Sequence, residues 1–157
     1  MKFKIIKYNT PEYAEAVELR EEILRKPLGI GFSDEEIAAE KDWVHIAAYQ
    51  DGKLCATAAL FPESSRLAKI CRVAVLAKLQ GQGVGTEIMR YAESYAAKQG
   101  FKEIYLHARD TSMPFYLKNQ YLDEGDWFDE DTVPHKKLRK ILGSPEGVCA
   151  SSGKPYA

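Results

Sequence analysis

The chain has 157 residues, 45% hydrophobic and 29% charged, the makeup of one soluble globular domain with enough apolar material to bury a core without staples. Its 22 basic and 23 acidic side chains leave a formal charge of -1, which disfavours a nucleic-acid binder, and Cys55, Cys71 and Cys149 contain no CxxC pair, which disfavours a disulfide framework or a zinc site. No apolar run has the length of a signal sequence or the roughly 20 residues of a membrane span, so a reducing cytoplasm is the expected setting, with no nucleic-acid or membrane partner.

Residues 2 to 8 alternate charged and apolar side chains and predict a first strand. Thr10 then stands where it can cap a helix starting at Pro11, with Ala16, Leu19 and Ile23 on one face and an end before Pro27. Ser33 and Glu36 form the reciprocal capping pattern of a second, short helix. Residues 44 to 61 predict a hairpin about Asp51 and Gly52, and residues 66 to 76 a further strand beside it. Ile88, Met89, Ala92, Tyr95 and Ala96 recur with helical spacing until Gly100. Strands at 103–108, 121–128 and 135–142 and a short helix at 112–119 complete the pattern. The expected fold is mixed α/β, with a central, mostly antiparallel sheet of six to seven strands flanked by helices. A single domain over residues 1–142 would then carry a loose tail at 143–157, which is rich in Gly, Ser and Pro.

Between the strand ending near Val75 and the long helix lies Gln80, Gly81, Gln82, Gly83, Val84, Gly85, Thr86. A strand, a glycine turn and a helix together make an anion site, because glycines allow close backbone approach and the first helical amides lack internal acceptors. A diphosphate is the natural ligand. The P-loop pattern fails, since Gly85 is followed by Thr86 and Glu87 with no lysine. The dinucleotide pattern fails as well, because Thr86 stands where its third glycine belongs.

The spacing Gln80, Gly83, Gly85 satisfies the pattern Q/R-x-x-G-x-G/A, and in this the chain resembles the GNAT superfamily of acyl-CoA-dependent N-acetyltransferases. The resemblance runs from about residue 3 to 142. It includes Tyr116, Leu117, Lys118, Asn119, which resemble the family's L/F-Y-x-K-x-G-F element, with Gln120 and Tyr121 in place of Gly-Phe and Arg109 where an asparagine is usual. Leu19, Arg20, Leu24, Arg25, Pro27, Leu28, Gly29, Pro134 and His135 resemble a bacterial subgroup carrying LRxxVLRxPLG and a Pro-His pair. The resemblance implies acetyl-CoA as cosubstrate. Backbone groups of Val73 and Val75 would pair with the pantetheine arm, and amides from Gln80 to Thr86 would cradle the diphosphate.

It also places Tyr116 as the general acid for the departing thiolate, since a phenol with a pKa near about 10 can still donate to a more basic sulfur. His135, at a strand entrance, is the favoured base among the three histidines, with Glu21, Glu22, Glu40 and Glu63 as alternatives acting through water. No histidine has metal-ligand spacing. Two features point to different acceptors. The run from Asp123 to Asp131 holds six acids and no base, suiting either a cationic amine or a solvated edge, with Trp127 and Phe128 turned inward or lining a pocket. Arg20 and Arg25 suit either an acceptor carboxylate or surface solvation. The leading reading is transfer of acetyl to the primary amine of a small-molecule or protein acceptor; the alternative is an acyl-CoA sensor or interaction module that binds without turnover. A homodimer is suggested by analogy alone.

Overall fold

The computed structural model describes residues 1–143. The tail expected at 143–157 therefore lies outside the described residues, Gly143 excepted. The chain divides into two compact units, one of residues 1–61 and 70–92 and the other of residues 62–69 and 93 onward.

In the first unit β1 (Lys2–Ile6) leads to α1 (Pro11–Arg20), whose N-cap is Thr10: its hydroxyl accepts from the Tyr13 amide, and Pro11 opens the first turn. Helical backbone continues past α1 as a π turn, Glu21–Arg25, and a 3-10 turn, Lys26–Leu28. Pro27 is tolerated because it lies at the start of that turn, where its missing N–H has no partner to lose. Gly29 closes the run at φ 74°. The capping box expected at Ser33 and Glu36 is formed, and α2 (Asp34–Ala39) follows it. The predicted hairpin is present as β2 (Val44–Gln50) and β3 (Lys53–Pro62), antiparallel about Asp51 and Gly52, both at positive φ. β1 pairs antiparallel with β2, and β4 (Leu67–Val75) lies beside β3. α3 (Val84–Lys98) buries Ile88, Met89 and Ala92 as its spacing requires. The alanines of β2 and β3 leave almost no side-chain volume, so this core is thin and closely packed.

In the second unit β5 (Glu103–Arg109) runs parallel to residues Leu67–Lys69 of β4 and antiparallel to β8 (Val133–Ile141) along its whole length. The short helix α4 (Met113–Lys118) follows β5. The strand expected over 121–128 breaks into β6 (Leu122–Asp123) and β7 (Phe128–Glu130), with Gly125 at φ 104° between them, and both pair with β8. That break raises the number of strands to eight among the described residues, in the mostly antiparallel arrangement expected.

Candidate functional site

The strand, turn and helix singled out in the sequence form one local structure. Val73 and Val75 stand half-buried near the end of β4, and Arg72 before them has φ 57°, which interrupts the extended backbone at that point. After a 3-10 turn at Ala77–Leu79 the chain reaches Gln80, whose N–H donates to the Ala77 carbonyl and whose side-chain amide donates to the Val75 carbonyl at 3.0 Å. Gln80, though exposed, thus shapes the turn. The Gln82 amide likewise donates to the Lys78 carbonyl, and Gly81 and Gly83 take φ values of 80° and 87°. A Cβ at either glycine would meet no atom within 4 Å, so glycine is required here by backbone conformation and the space above it is open. Glu87 makes the helix's bond back to Gly83 at 3.0 Å. The preceding amides of Val84, Gly85 and Thr86 therefore have no intrahelical acceptor and carry the positive end of the helix dipole.

Tyr116 lies in the second unit on α4, half-buried, with its ring against Phe115 and Tyr121. The residues that depart from the family pattern are explained locally. Gln120 occupies the left-handed region at φ 74°, where the pattern has glycine, and the Tyr121 amide then closes onto the Tyr116 carbonyl at 3.1 Å. The Tyr121 ring is buried, and its hydroxyl donates to Glu93 at 2.7 Å. Lys140 of β8 donates both to Glu93 and to the Asn119 carbonyl, at 3.0 Å each. This buried pair anchors the C-terminal end of α4 and so positions Tyr116.

The two arginines raised as an acceptor site belong to the core of the first unit. Arg20 and Arg25 are both buried, which rules out surface solvation. Arg20 donates to Glu40, and Arg25 makes a two-pronged bond to Glu36 at 2.7 and 3.1 Å. Arg72 joins them through Glu40 at 3.0 Å, and all three guanidiniums lie within 4.9 Å of the Phe32 ring centre. Glu40 also accepts from the Tyr13 hydroxyl, and burial together with that carboxylate raises the Tyr13 pKa. The Arg25 bond holds the Glu36 carboxyl down to about 2. His45 Nε2 donates to the Glu40 carbonyl, and its burial lowers its pKa, so it is a structural histidine. Of the alternative bases, Glu40 is fully engaged, Glu21 accepts from the Phe32 amide, and Glu63 takes the Tyr105 hydroxyl on both oxygens at 2.8 Å, while Glu22 stays exposed.

His135 is the third residue of β8, and its Nδ1 lies 2.8 Å from the Val133 carbonyl. The β7 pairing places Phe128 directly opposite it, and Phe128 stacks on His135 while meeting His107 edge-on. Glu130 sits between the two histidines, 3.0 Å from His107 Nδ1 and 3.7 Å from His135 Nε2. Its pKa is lowered, first by the His107 hydrogen bond. The rest of the acidic run is differently placed: Asp123 pairs with Lys136, and Glu124 with Lys137 and Arg139, while Trp127 is exposed under the Lys136 ammonium. Among the described residues no group of His, Cys, Asp and Glu is arranged to hold a metal, and no helix is long and apolar enough to cross a membrane. Sequence reasoning missed Glu93, and it raised Glu40 only as a base, His107 only among the histidines and Glu130 only within the acidic run, without their pairings. Each is a polar residue at a position the apolar period passes over, and only pairing across the fold reveals it.

Comparison with known proteins gives a consistent result. The model of the acetyltransferase (GNAT) family matches residues 14–121. A curated relative, the N-acetyltransferase YjcF of Bacillus subtilis (strain 168), is 30% identical over 138 residues, covering 87% of this chain and 97% of its own. A putative N-acetyltransferase from Lactobacillus plantarum superposes with a TM-score of 0.78 at 26% identity, over 91% of this chain and all of its own. A GNAT acetyltransferase from Elizabethkingia anophelis, solved with acetyl-CoA bound, superposes with a TM-score of 0.69 at 17% identity, over 90% and 97% of the two chains.

Proposed function

The chain belongs to the acetyltransferase (GNAT) family, and from that premise we propose that it moves acetyl from acetyl-CoA to a primary amine by direct attack of the amine on the thioester. The observation that carries this reading is the turn from Gly81 to Thr86: positive-φ glycines under open space, followed by helix amides with no internal acceptor. Such a cradle suits a diphosphate, and the orphan amides of Val84, Gly85 and Thr86 with the backbone of Gly81, Gln82 and Gly83 would hold it. Backbone groups of Val73 and Val75 would hold the pantetheine arm. Bound acetyl-CoA supplies an activated thioester, so the protein's share is mainly to hold two reactants and to move two protons.

Tyr116 is the proton donor for the leaving thiolate in this reading, kept in place by the Tyr121 amide on its carbonyl and by Lys140 on the Asn119 carbonyl. His135 is the base. Its Nδ1 faces a carbonyl, which can only accept, so Nδ1 carries the hydrogen and Nε2 carries the lone pair when the ring is neutral.

The test is thiol release across a panel of primary amines, beside calorimetry of acetyl-CoA, for the wild type and Tyr116→Phe. The expected result is cosubstrate affinity unchanged and turnover lowered about 10²-fold in the variant. Wild-type turnover in Tyr116→Phe removes that residue from the chemistry. Tight binding with no release for any amine supports the sensor reading instead.

A further inference from the structure

The cluster around Glu130 has a shortage of hydrogen-bond donors that fixes what it can hold. His107 Nδ1 faces the Glu130 carboxylate at 3.0 Å, so it donates, and the lone pair of neutral His107 sits on Nε2. His135 Nδ1 donates to the Val133 carbonyl at 2.8 Å, so its lone pair also sits on Nε2, and that atom lies 3.7 Å from the second oxygen of Glu130. With His135 neutral, two acceptors face each other at a separation too long for a direct hydrogen bond and with no hydrogen between them. One nitrogen carrying several N–H bonds can sit about 2.9 Å from both. The Phe128 ring, stacked on His135 and edge-on to His107, forms an apolar side to the same group. Glu130 remains partly exposed, so solutes reach it.

We propose that Glu130, bracketed by His107 and His135, is the seat of the acceptor's ammonium group, which donates one N–H to Glu130 and loses a proton to His135 Nε2. The identity of the cation rests on the amine-acetyltransferase reading above. The step balances: a neutral imidazole and R–NH3⁺ become an imidazolium and R–NH2, whose freed electron pair is the nucleophile, and the imidazolium returns its proton to solvent. Glu130 stabilises both the arriving ammonium and the imidazolium that replaces it. His107 is a positioning residue that fixes the carboxylate through Nδ1. The neighbouring charges are Lys69, whose ammonium lies over the Tyr105 ring with that of Lys137, and Glu63, held by the Tyr105 hydroxyl. Lys69 also acts on Glu130 and helps to lower its pKa, and Glu63 is engaged by Tyr105, so Glu130 is the carboxylate that meets both histidines.

The experiment is a titration of the full chain with 1,4-diaminobutane, followed through the imidazole nitrogen resonances of His107 and His135, at fixed ionic strength and with choline as a cation lacking N–H. The wild type should show saturable shifts at His135 Nε2 with the diamine and none with choline. Glu130→Gln should weaken the diamine constant about tenfold or more, as expected for loss of a charge-assisted bond. His107→Asn, which keeps a donor near the Nδ1 position, should retain more binding than His107→Ala. The proposal is overturned by an absence of saturable shifts in the wild type, by an equal response to choline, or by an unchanged constant in Glu130→Gln. The titration uses no acetyl-CoA, so its outcome is separate from the calorimetry that decides the acetyltransferase reading.

Discussion

Around Phe32 in the first unit, both oxygens of Glu40 meet donors, from Tyr13, Arg20 and Arg72, and Glu36 takes two bonds from Arg25. Around Phe128 in the second unit, one oxygen of Glu130 meets His107 while the other faces His135 Nε2 across 3.7 Å, with no hydrogen between them when His135 is neutral. Both clusters set ionisable groups about a phenylalanine ring, and they differ in burial and in how fully their carboxylates are met, although Arg20 Nε in the first makes no hydrogen bond. Glu40 has no exposure, whereas 41% of the Glu130 side chain is open to solvent. A closed cluster converts its electrostatics into rigidity; an open one with a missing donor retains attraction for something outside the chain. The difference divides what composition had put forward together: Arg20 and Arg25, offered for an acceptor carboxylate, belong to the closed cluster, and of the six acids offered for a cationic amine it is Glu130 that meets the histidines.

The largest expected effect breaks the closed cluster. Glu40→Ala leaves Arg20 buried with its strongest partner gone, a situation that typically costs about 3–5 kcal/mol. Urea denaturation should show the midpoint falling accordingly, with the slope near that of the wild type. A loss below about 1 kcal/mol would mean that the arginines relax to solvent, and the contrast with Glu130 would collapse. By contrast, Glu130→Gln should move the midpoint little, because its carboxylate is partly solvated already.

A smaller effect concerns acid. Glu36 ionises at about 2 in the folded chain against an ordinary 4.5, so its depressed value favours the folded state wherever the unfolded group would be charged. That contribution is fully present above pH 4.5 and is lost as pH falls toward 2, since the folded state must then take up a proton it resists. A third of the Glu36 side chain is exposed, so solvent screening reduces the contribution to about 1–2 kcal/mol. Denaturation midpoints measured from pH 6 to about pH 2 should fall more steeply in the wild type than in Glu36→Gln. Parallel profiles would show that the Arg25 pair adds no net stability.

Much of this was legible in the residues. Thr10 with Pro11, Ser33 with Glu36, and Asp51 with Gly52 each carry a local backbone requirement, and each formed the structure that requirement demands. Gly81 and Gly83 belong to the same class, since their φ values are written into the glycine choice. The charged clusters were not legible, because a bond such as Arg72 to Glu40 joins residues 32 positions apart and no local period encodes it. The break of the 121–128 strand was hidden for a related reason. Gly125 marks a turn, but the pairing of both fragments with β8 depends on that strand being long enough to serve them in succession. Tyr121 shows the limit from the other side: its place beside Tyr116 follows from the motif, while its hydroxyl's bond to Glu93 comes from a helix far earlier in the chain.

The smallest expected effect sharpens the open cluster by removing charges that do not belong to it. Composition groups six acids between Asp123 and Asp131 as one field, but the structure divides them. Asp123 and Glu124 are neutralised by Lys136, Lys137 and Arg139 of β8, and Glu130 is held by His107, while Asp126 and Asp129 are exposed. Exposed charges act on a solute through water and counterions, and their reach is about 8 Å at physiological ionic strength. Converting Asp126 and Asp129 to asparagine should therefore change the 1,4-diaminobutane constant by less than about twofold at that ionic strength. A larger change should appear only at low salt, where the screening length grows. An effect as large as that of Glu130→Gln, persisting in high salt, would mean that the cation is gathered by the loop as a whole and that the geometry between His107 and His135 does not select it.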